Sequence, residues 1–251
     1  NSYLINLAKK LKSEIVEHKN FIGGRYSVLS EVGMLPAELM GLNEKKFKQF
    51  NNLIKNKRFV NYLVMNVSST LELLKKGRFN SVILNYDENS NNFFKWYQQL
   101  IAESLGKNNK GFLPVISNVP KDHHSLLQLY LDGPKDKISY IFSAEIKSKI
   151  KINLNEFKKE KKFLEKRLLS SVKNAQKNAL VKSLLKNKIP FREFNFKKIN
   201  EETIGKLFSY FILETIIIGK LSKINPFNQP AVEQVKTYTK DQLIKKTKNN
   251  F

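Results

Sequence analysis

In the stretch WYQQLIAESLGK, residues 96–107, Gln99 and Glu103 stand four positions apart, with Ser104 and Gly106 following. Helical spacing puts Gln99 and Glu103 on one face. A carboxylate held there can act as a base, and Glu103 is the residue expected to remove a proton from a substrate carbon. Upstream, Gly23 and Gly24 precede Arg25 at the mouth of a second helical stretch. Paired glycines let backbone N–H groups approach an anion closely, and Arg25 adds a permanent charge with a planar fork of donors. A third segment, KDHHSLLQLYLDGP, holds His123 and His124. Adjacent helical positions point in different directions, so at most one of the two faces a site. Asp122 beside them raises the question of a metal, but neighbouring positions are poor ligand spacing on a helix, and no Cys or further His lies near in sequence, so no metal is expected. The last segment, NPFNQPAVEQVKTYTK, places Gln229 at the mouth of a final helix and Lys236 further along it. Each feature has an ordinary reading as well: a solvated helix carboxylate, a turn with a surface arginine, a cap-adjacent histidine, a lysine-rich tail.

These side chains need elements to hold them. Leu4, Leu7, Ala8, Leu11, Ile15 and Val16 recur at helical spacing and predict an amphipathic helix from residue 2 to about 18. Further helices are expected over YSVLSEVGMLPAELMG and over about 44–54 and 58–76. SVILNYD, residues 81–87, reads as a strand. Asn89 or Ser90 then caps the helix carrying Phe93, Phe94, Trp96, Tyr97, Gln99 and Glu103. FLPVISNVP is a second strand, and Asp122 is expected to cap a helix that Gly133 and Pro134 end. KISYIFSAEI, residues 137–146, alternates as a third strand. A long lysine-rich helix is expected over about 155–187, a fourth strand over residues 189–196, a helix capped by Asn200 running to about Leu221, and a last helix from about Ala231. Strands alternating with helices argue for an α/β fold, a mainly parallel sheet covered on both faces. Ligands bind beyond the carboxyl ends of such strands, and Glu103 and the histidines follow the first two strands.

Composition narrows the partners. The 251 residues carry 45 Lys and Arg against 22 Asp and Glu, a formal net charge of +23. The lysines are spread from Lys9 to Lys246 without an arginine-rich, aromatic-interleaved tract. The charge is therefore read as a solvated surface that favours anionic, phosphorylated substrates, rather than as a nucleic-acid footprint. Cysteine is absent, which removes disulfides and thiolate chemistry and fits a reducing, cytoplasmic setting. The most apolar stretch, residues 207–218, is interrupted by Glu214 and falls short of the roughly 20 apolar residues a bilayer span takes. No membrane partner is expected. The opening NSYLINLAKKLK has no signal-peptide pattern and reads as the middle of a helix, so the chain is expected to begin inside a larger protein.

Taken together, four segments resemble the glucose-6-phosphate isomerase, or phosphoglucose isomerase, family. GGRYSVLSEVG is similar to the family's first signature, QQLIAES to the segment with the catalytic glutamate, DHHSLLQL to that with the ring-opening histidine, and NPFNQPAVEQVK to the C-terminal signature. They occur in family order. The resemblance implies a three-layer αβα sandwich of sugar-isomerase type with a C-terminal helical arm. It divides the chain into residues 1–22, a helix ending a preceding domain, residues 23–224, the second sugar-isomerase domain, and residues 225–251, an active-site turn and helix. It implies that Glu103 carries a proton between C1 and C2 of the opened sugar through a cis-enediol. His124, whose spacing to Gln128 matches, would move the proton on the ring oxygen with help from Lys236. Arg25 would stabilise the enediolate beside Gly24, and Gln99 and Gln229 would contact phosphate or hydroxyls. No cofactor is implied. The family is a dimer with a shared site, so His124 is expected to serve the partner's Glu103.

One departure bears on activity. The family anchors the sugar phosphate with a Ser/Thr-rich loop well upstream of the GGR signature, and nothing among the first 22 residues resembles it. The first domain is expected to be missing and the chain alone to be inactive or nearly so. The leading expectation is interconversion of glucose 6-phosphate and fructose 6-phosphate. Alternatives are an isomerase that also accepts mannose 6-phosphate, and a non-catalytic sugar-phosphate or nucleic-acid-binding module, which would have no need of Glu103.

Overall fold

A computed structural model of the chain describes residues 2–145, 148–153 and 159–248. Helix α1 (Tyr3–Lys10) starts where the Ser2 side chain accepts the Ile5 N–H, at 3.3 Å, and stops before Lys12, whose φ is 54°. The helix expected to reach residue 18 is thus only half formed. Leu4, Leu11, Ile15 and Val16 remain exposed, and without a packed face a short helix is not held by propensity. A 3₁₀ turn, Gly24–Leu29, leads into α2 (Glu31–Leu39). The single helix expected over 44–54 splits into α3 (Glu44–Phe47) and α4 (Phe50–Lys55), because the Gln49 N–H turns back to the Phe47 carbonyl at 2.8 Å. Helix α5 (Lys57–Lys75) is capped by Asn56 and buries Leu63, Val67 and Thr70.

The rest alternates as expected, except that the one helix expected between Asp122 and Gly133 is broken in two at Leu126. Strand β1 (Asn80–Asn85) is followed by α6 (Asn91–Leu105), β2 (Leu113–Asn118), α7 (Lys121–Ser125), α8 (Leu127–Asp132), β3 (Lys137–Ala144), α9 (Leu169–Lys186), β4 (Phe191–Phe196), α10 (Glu201–Leu221) and α11 (Pro230–Lys248). The four strands form one parallel sheet in the order β2-β1-β3-β4, with Val82 opposite Val115 and Ser139.

Side chains alternate across the sheet and build two cores. Ile83, Ile138, Tyr140 and Phe142 pack on α5, α6 and α10. Val82, Leu84 and Ile141 pack on the opposite side against Leu180 and Leu184 of α9, with Leu127 and Tyr130 of α8. The molecule is a three-layer α/β sandwich. Strand β3, read as alternating, is instead buried without a break from Lys137 to Ser143, as a strand covered on both faces must be.

Two further readings are corrected. The helix expected over 155–187 starts only at Leu169. Lys151 pairs with Leu168 in an antiparallel bridge and Lys159–Leu164 is a 3₁₀ turn, which keep this stretch out of the helix, while residues 154–158 lie outside the described residues. Asp122 does not cap a helix. It lies within α7, and its carboxylate accepts the Asn118 N–H at 2.8 Å and the Ser117 hydroxyl at 3.0 Å, tying α7 to the end of β2. By contrast, Asn200 caps α10 as expected, accepting the Thr203 N–H at 3.0 Å, and α10 ends at Leu221. Glu214, which breaks the apolar run of α10, is buried against Arg192 of β4 through a two-pronged pair at 2.5 and 2.9 Å. No helix among the described residues is long and apolar enough to cross a membrane.

Candidate active site

Arg25 is the node of the site. The Trp96 indole N–H holds its carbonyl at 2.9 Å, and its side chain is 2% exposed. A guanidinium has five N–H donors, and here there is an acceptor for each. Nε meets Ser104 Oγ at 2.8 Å, Nη1 meets Gln229 Oε1 at 2.7 Å and Glu103 Oε2 at 3.3 Å, and Nη2 meets the carbonyls of Pro226 at 2.8 Å and Asn228 at 3.2 Å. One side chain thereby joins the 3₁₀ turn, the end of α6 and the turn before α11.

That last turn is held by neighbours as well. Lys107 Nζ donates to the Asn225 and Asn228 carbonyls, each at 2.5 Å, and to Asn228 Oδ1 at 3.1 Å. Burial, reinforced by the charge of Arg25, shifts the Lys107 pKa down. The Tyr26 hydroxyl donates to the Pro226 carbonyl at 3.0 Å and lies 2.8 Å from Ser104 Oγ, and its ring meets Phe227 at 5.4 Å. Burial pushes the Tyr26 phenol up, so it stays protonated and able to donate.

Glu103 is held on both oxygens. Oε1 accepts from Gln99 Nε2 at 3.1 Å, Oε2 from Arg25, and the side chain keeps 28% of its surface in solvent. A carboxylate anchored by two donors and open on its remaining side is placed to exchange protons with a bound molecule. Next to it, nothing lies within 4 Å of where a Cβ on Gly23 or Gly24 would sit, so a ligand has room at that backbone. Gln99 is exposed and Gln229 half-buried. Arg25, Glu103, Gln99 and Gln229 are therefore together, with Gly24 at their edge.

His124 and Lys236 are not. Helix α6 runs back from the carboxyl end of β1, so Glu103, near its end, sits at the amino edge of the sheet, and the expectation that it lies beyond the carboxyl ends is wrong. From Asn91 to Glu103 the helix rises roughly 18 Å. The histidines follow β2 at the opposite edge, where His123 Nε2 meets the hydroxyl of Tyr86, just past β1, at 3.0 Å. Burial lowers the His123 pKa, partly offset by Asp122. His124 is exposed. Lys236 lies on exposed α11 and pairs with Glu233 at 2.7 Å. Among the described residues no three His, Cys, Asp or Glu side chains gather as a metal-holding group.

Three contributors escaped the sequence reading: Tyr26, Lys107 and Trp96. Tyr26 and Lys107 lie within the quoted segments, but their partners are backbone carbonyls of the 225–228 turn, which no spacing rule connects to them. Trp96 packs beside Phe93 and Phe208 while its N–H serves the site.

The sequence model of the family described as phosphoglucose isomerase matches residues 10–250. The chain belongs to the phosphoglucose isomerase family. Among its relatives, a probable glucose-6-phosphate isomerase of Methanococcus maripaludis is 38% identical over 220 residues, covering 84% of this chain and 49% of that protein. A glucose-6-phosphate isomerase of Methanocaldococcus jannaschii is 32% identical over 240 residues, covering 91% and 58%. The chain thus spans about half the length of these curated relatives. Two crystal structures share the fold: a hypothetical protein from Thermus thermophilus, with TM-score 0.84 and 24% identity over 96% of this chain and 60% of that one, and a glucose-6-phosphate isomerase from Chlamydia trachomatis, with TM-score 0.75 and 16% identity over 95% and 50%. The phosphoglucose isomerase assignment therefore rests on sequence, and these two structures bear on architecture alone.

Proposed function

We propose that these residues supply the catalytic carboxylate of a glucose-6-phosphate isomerase. The observation that carries this reading is the hydrogen-bonded set of Glu103, Arg25, Gln99 and Gln229, drawn from three segments far apart in sequence. In the reaction, Glu103 takes the proton from C2 of the opened aldose while O1 gains a proton, giving a cis-enediol, and the same carboxyl returns the proton to C1 as the O2 hydroxyl gives up its own, leaving the ketose. No net electron acceptor is needed. General-base assistance of this kind contributes about 10²- to 10⁴-fold.

Arg25 bears on both ends of that step. Its charge keeps Glu103 oriented, and negative charge growing on the sugar oxygens lies near a guanidinium that stays protonated. All five donors already have protein acceptors, so Arg25 reaches the substrate directly only by exchanging one of them. Gln229 is the natural one to yield, because it is half-buried and its own amide can turn to a hydroxyl. Gln99 contacts a substrate hydroxyl once Glu103 is engaged. His124, assisted by Lys236, opens the ring, and it does so from a second copy in a homodimer, since Glu103 and His124 of one chain stand at opposite edges of the sheet. The family resemblance implies that the sugar phosphate is anchored by a Ser/Thr-rich loop, and none of the residues gathered here supplies one, so turnover by these residues alone is expected to be little or none.

The test uses a full-length protein containing these residues, assayed in both directions with glucose 6-phosphate and fructose 6-phosphate. Glu103→Gln should lower kcat by about 10²-fold or more with a smaller change in KM. Unchanged turnover would remove Glu103 from the mechanism.

A further inference from the structure

The proposed catalytic cluster occupies the amino edge of the sheet. The carboxyl edge, where parallel sheets ordinarily take ligands, holds a separate polar cleft of about 470 Å³ beyond the ends of β3 and β4. Lys177 of α9 forms its floor. Its ammonium donates to Asn195 Oδ1 at 2.9 Å and to Ser143 Oγ at 3.3 Å, both neutral, and among the described residues it has no carboxylate partner. Three N–H donors with two used leave one to spend.

The surrounding side chains are in the same condition. Asn174 stands three positions before Lys177 and four before Asn178, so it neighbours both along α9. Asn174 and Asn178 line the cleft with Lys197, and among the described residues none of these three has a hydrogen-bond or ion-pair partner. A half-buried cation that rests only on neutral acceptors, beside a second cation and two unspent amides, is a site short of an anion. Glu145, on the same wall, would repel a bare anion at close range but accepts a hydroxyl. A wider trough shares Ala144, Glu145 and Lys197 with the cleft and runs to Asp87 beyond β1, across the point where the strand order reverses.

We propose that this cleft binds a small organic phosphate, with the phosphate among Lys177, Lys197, Asn174 and Asn178 and a ligand hydroxyl on Glu145. The site is independent of the isomerase reading, because it shares no residue with the Arg25 cluster.

The experiment follows backbone amide resonances of the whole chain during titration with inorganic phosphate and with glycerol 3-phosphate, against potassium chloride at matched ionic strength. Saturable shifts at Ser143, Lys177 and Asn195 are expected with both phosphates, tighter for glycerol 3-phosphate, and absent with chloride. Lys177→Ala should weaken binding at least 10-fold, while Glu103→Gln leaves it unchanged. Should Lys177→Ala lose the far-ultraviolet spectrum of the folded chain, Lys197→Ala, an exposed position, should show the same weakening. Shifts that spread over surface lysines without saturating, or that persist in the folded lysine variants, would overturn the proposal. So would an effect of Glu103→Gln equal to that of the lysine change, which would relocate binding to the amino edge.

Discussion

Arg25 and Arg192 are both largely buried guanidiniums, and what their donors meet separates a site from a strut. Arg25 spends its donors on backbone carbonyls, a serine, an amide and only one carboxylate, and that carboxylate is partly open to water. Arg192 meets a carboxylate instead: Glu214 grips it twice, Tyr210 lies 3.0 Å from Nη1, and the Tyr140 ring centroid is 3.8 Å away, while its buried Nε has no partner among the described residues. Taking one partner from such a pair leaves an uncompensated charge, which costs about 3 to 5 kcal/mol, whereas replacing both by apolar groups is often neutral. Glu214→Leu should therefore lose stability in that range, and adding Arg192→Met should restore most of it. Urea unfolding of the three chains measures this. Equal losses in the single and double variants would mean that packing, not charge, governs the position. In the sequence, Glu214 was visible only as an interruption of an apolar helix and Arg192 not at all, since nothing local pairs residues 22 positions apart on a strand and a helix. Glu103 and Arg25 were legible because their segments occur in family order, whereas the Ser104 and Lys107 contacts depend on where the chain returns.

At the scale of elements, the sequence was readable where local chemistry and packing agree. Helix α10 has both a cap at Asn200 and a continuous buried face, and its limits were found nearly to the residue. Helix α1 and residues 161–168 have helical spacing without a buried face to match, and there the pattern overreached. Gly205 shows a constraint that no periodicity contains. A Cβ on it would fall 2.3 Å from the Phe47 carbonyl oxygen and 2.7 Å from Phe47 Cα, because the α3 backbone lies directly on α10. Helix propensity favours alanine over glycine by about 1 kcal/mol, while forcing atoms into a packed contact costs typically about 1 to 3 kcal/mol or more. Backbone cannot rotate aside, so the second effect should win. Gly205→Ala is expected to lower the thermal midpoint, and a rise would show that α3 moves away freely.

For the whole molecule, the decisive fact is the separation of Glu103 and His124 along the sheet. The order β2-β1-β3-β4 was not read from the sequence, and neither was the direction in which α6 delivers its end. Alternation of strands and helices fixes parallelism but leaves open which edge a given helix position reaches. With Glu103 at one edge and His124 exposed at the other, a single copy cannot bring both to one sugar, and a two-fold dimer can, because in an isologous contact position i of one copy meets position j of the other and the reverse. The arrangement is testable without another structure. In the full-length protein, Glu103→Gln and His124→Gln homodimers should each be nearly inactive. Mixed and allowed to exchange subunits, half of the dimers become hybrids, and each hybrid holds one site with both native groups and one with neither. Activity should then recover to about a quarter of the unmutated level. Recovery must also depend on exchange, appearing after dissociation and reassociation and not on brief mixing at low temperature. Failure to recover, in mixtures shown by mass to contain hybrids, would place both groups in the same chain's site or remove one of them from the chemistry.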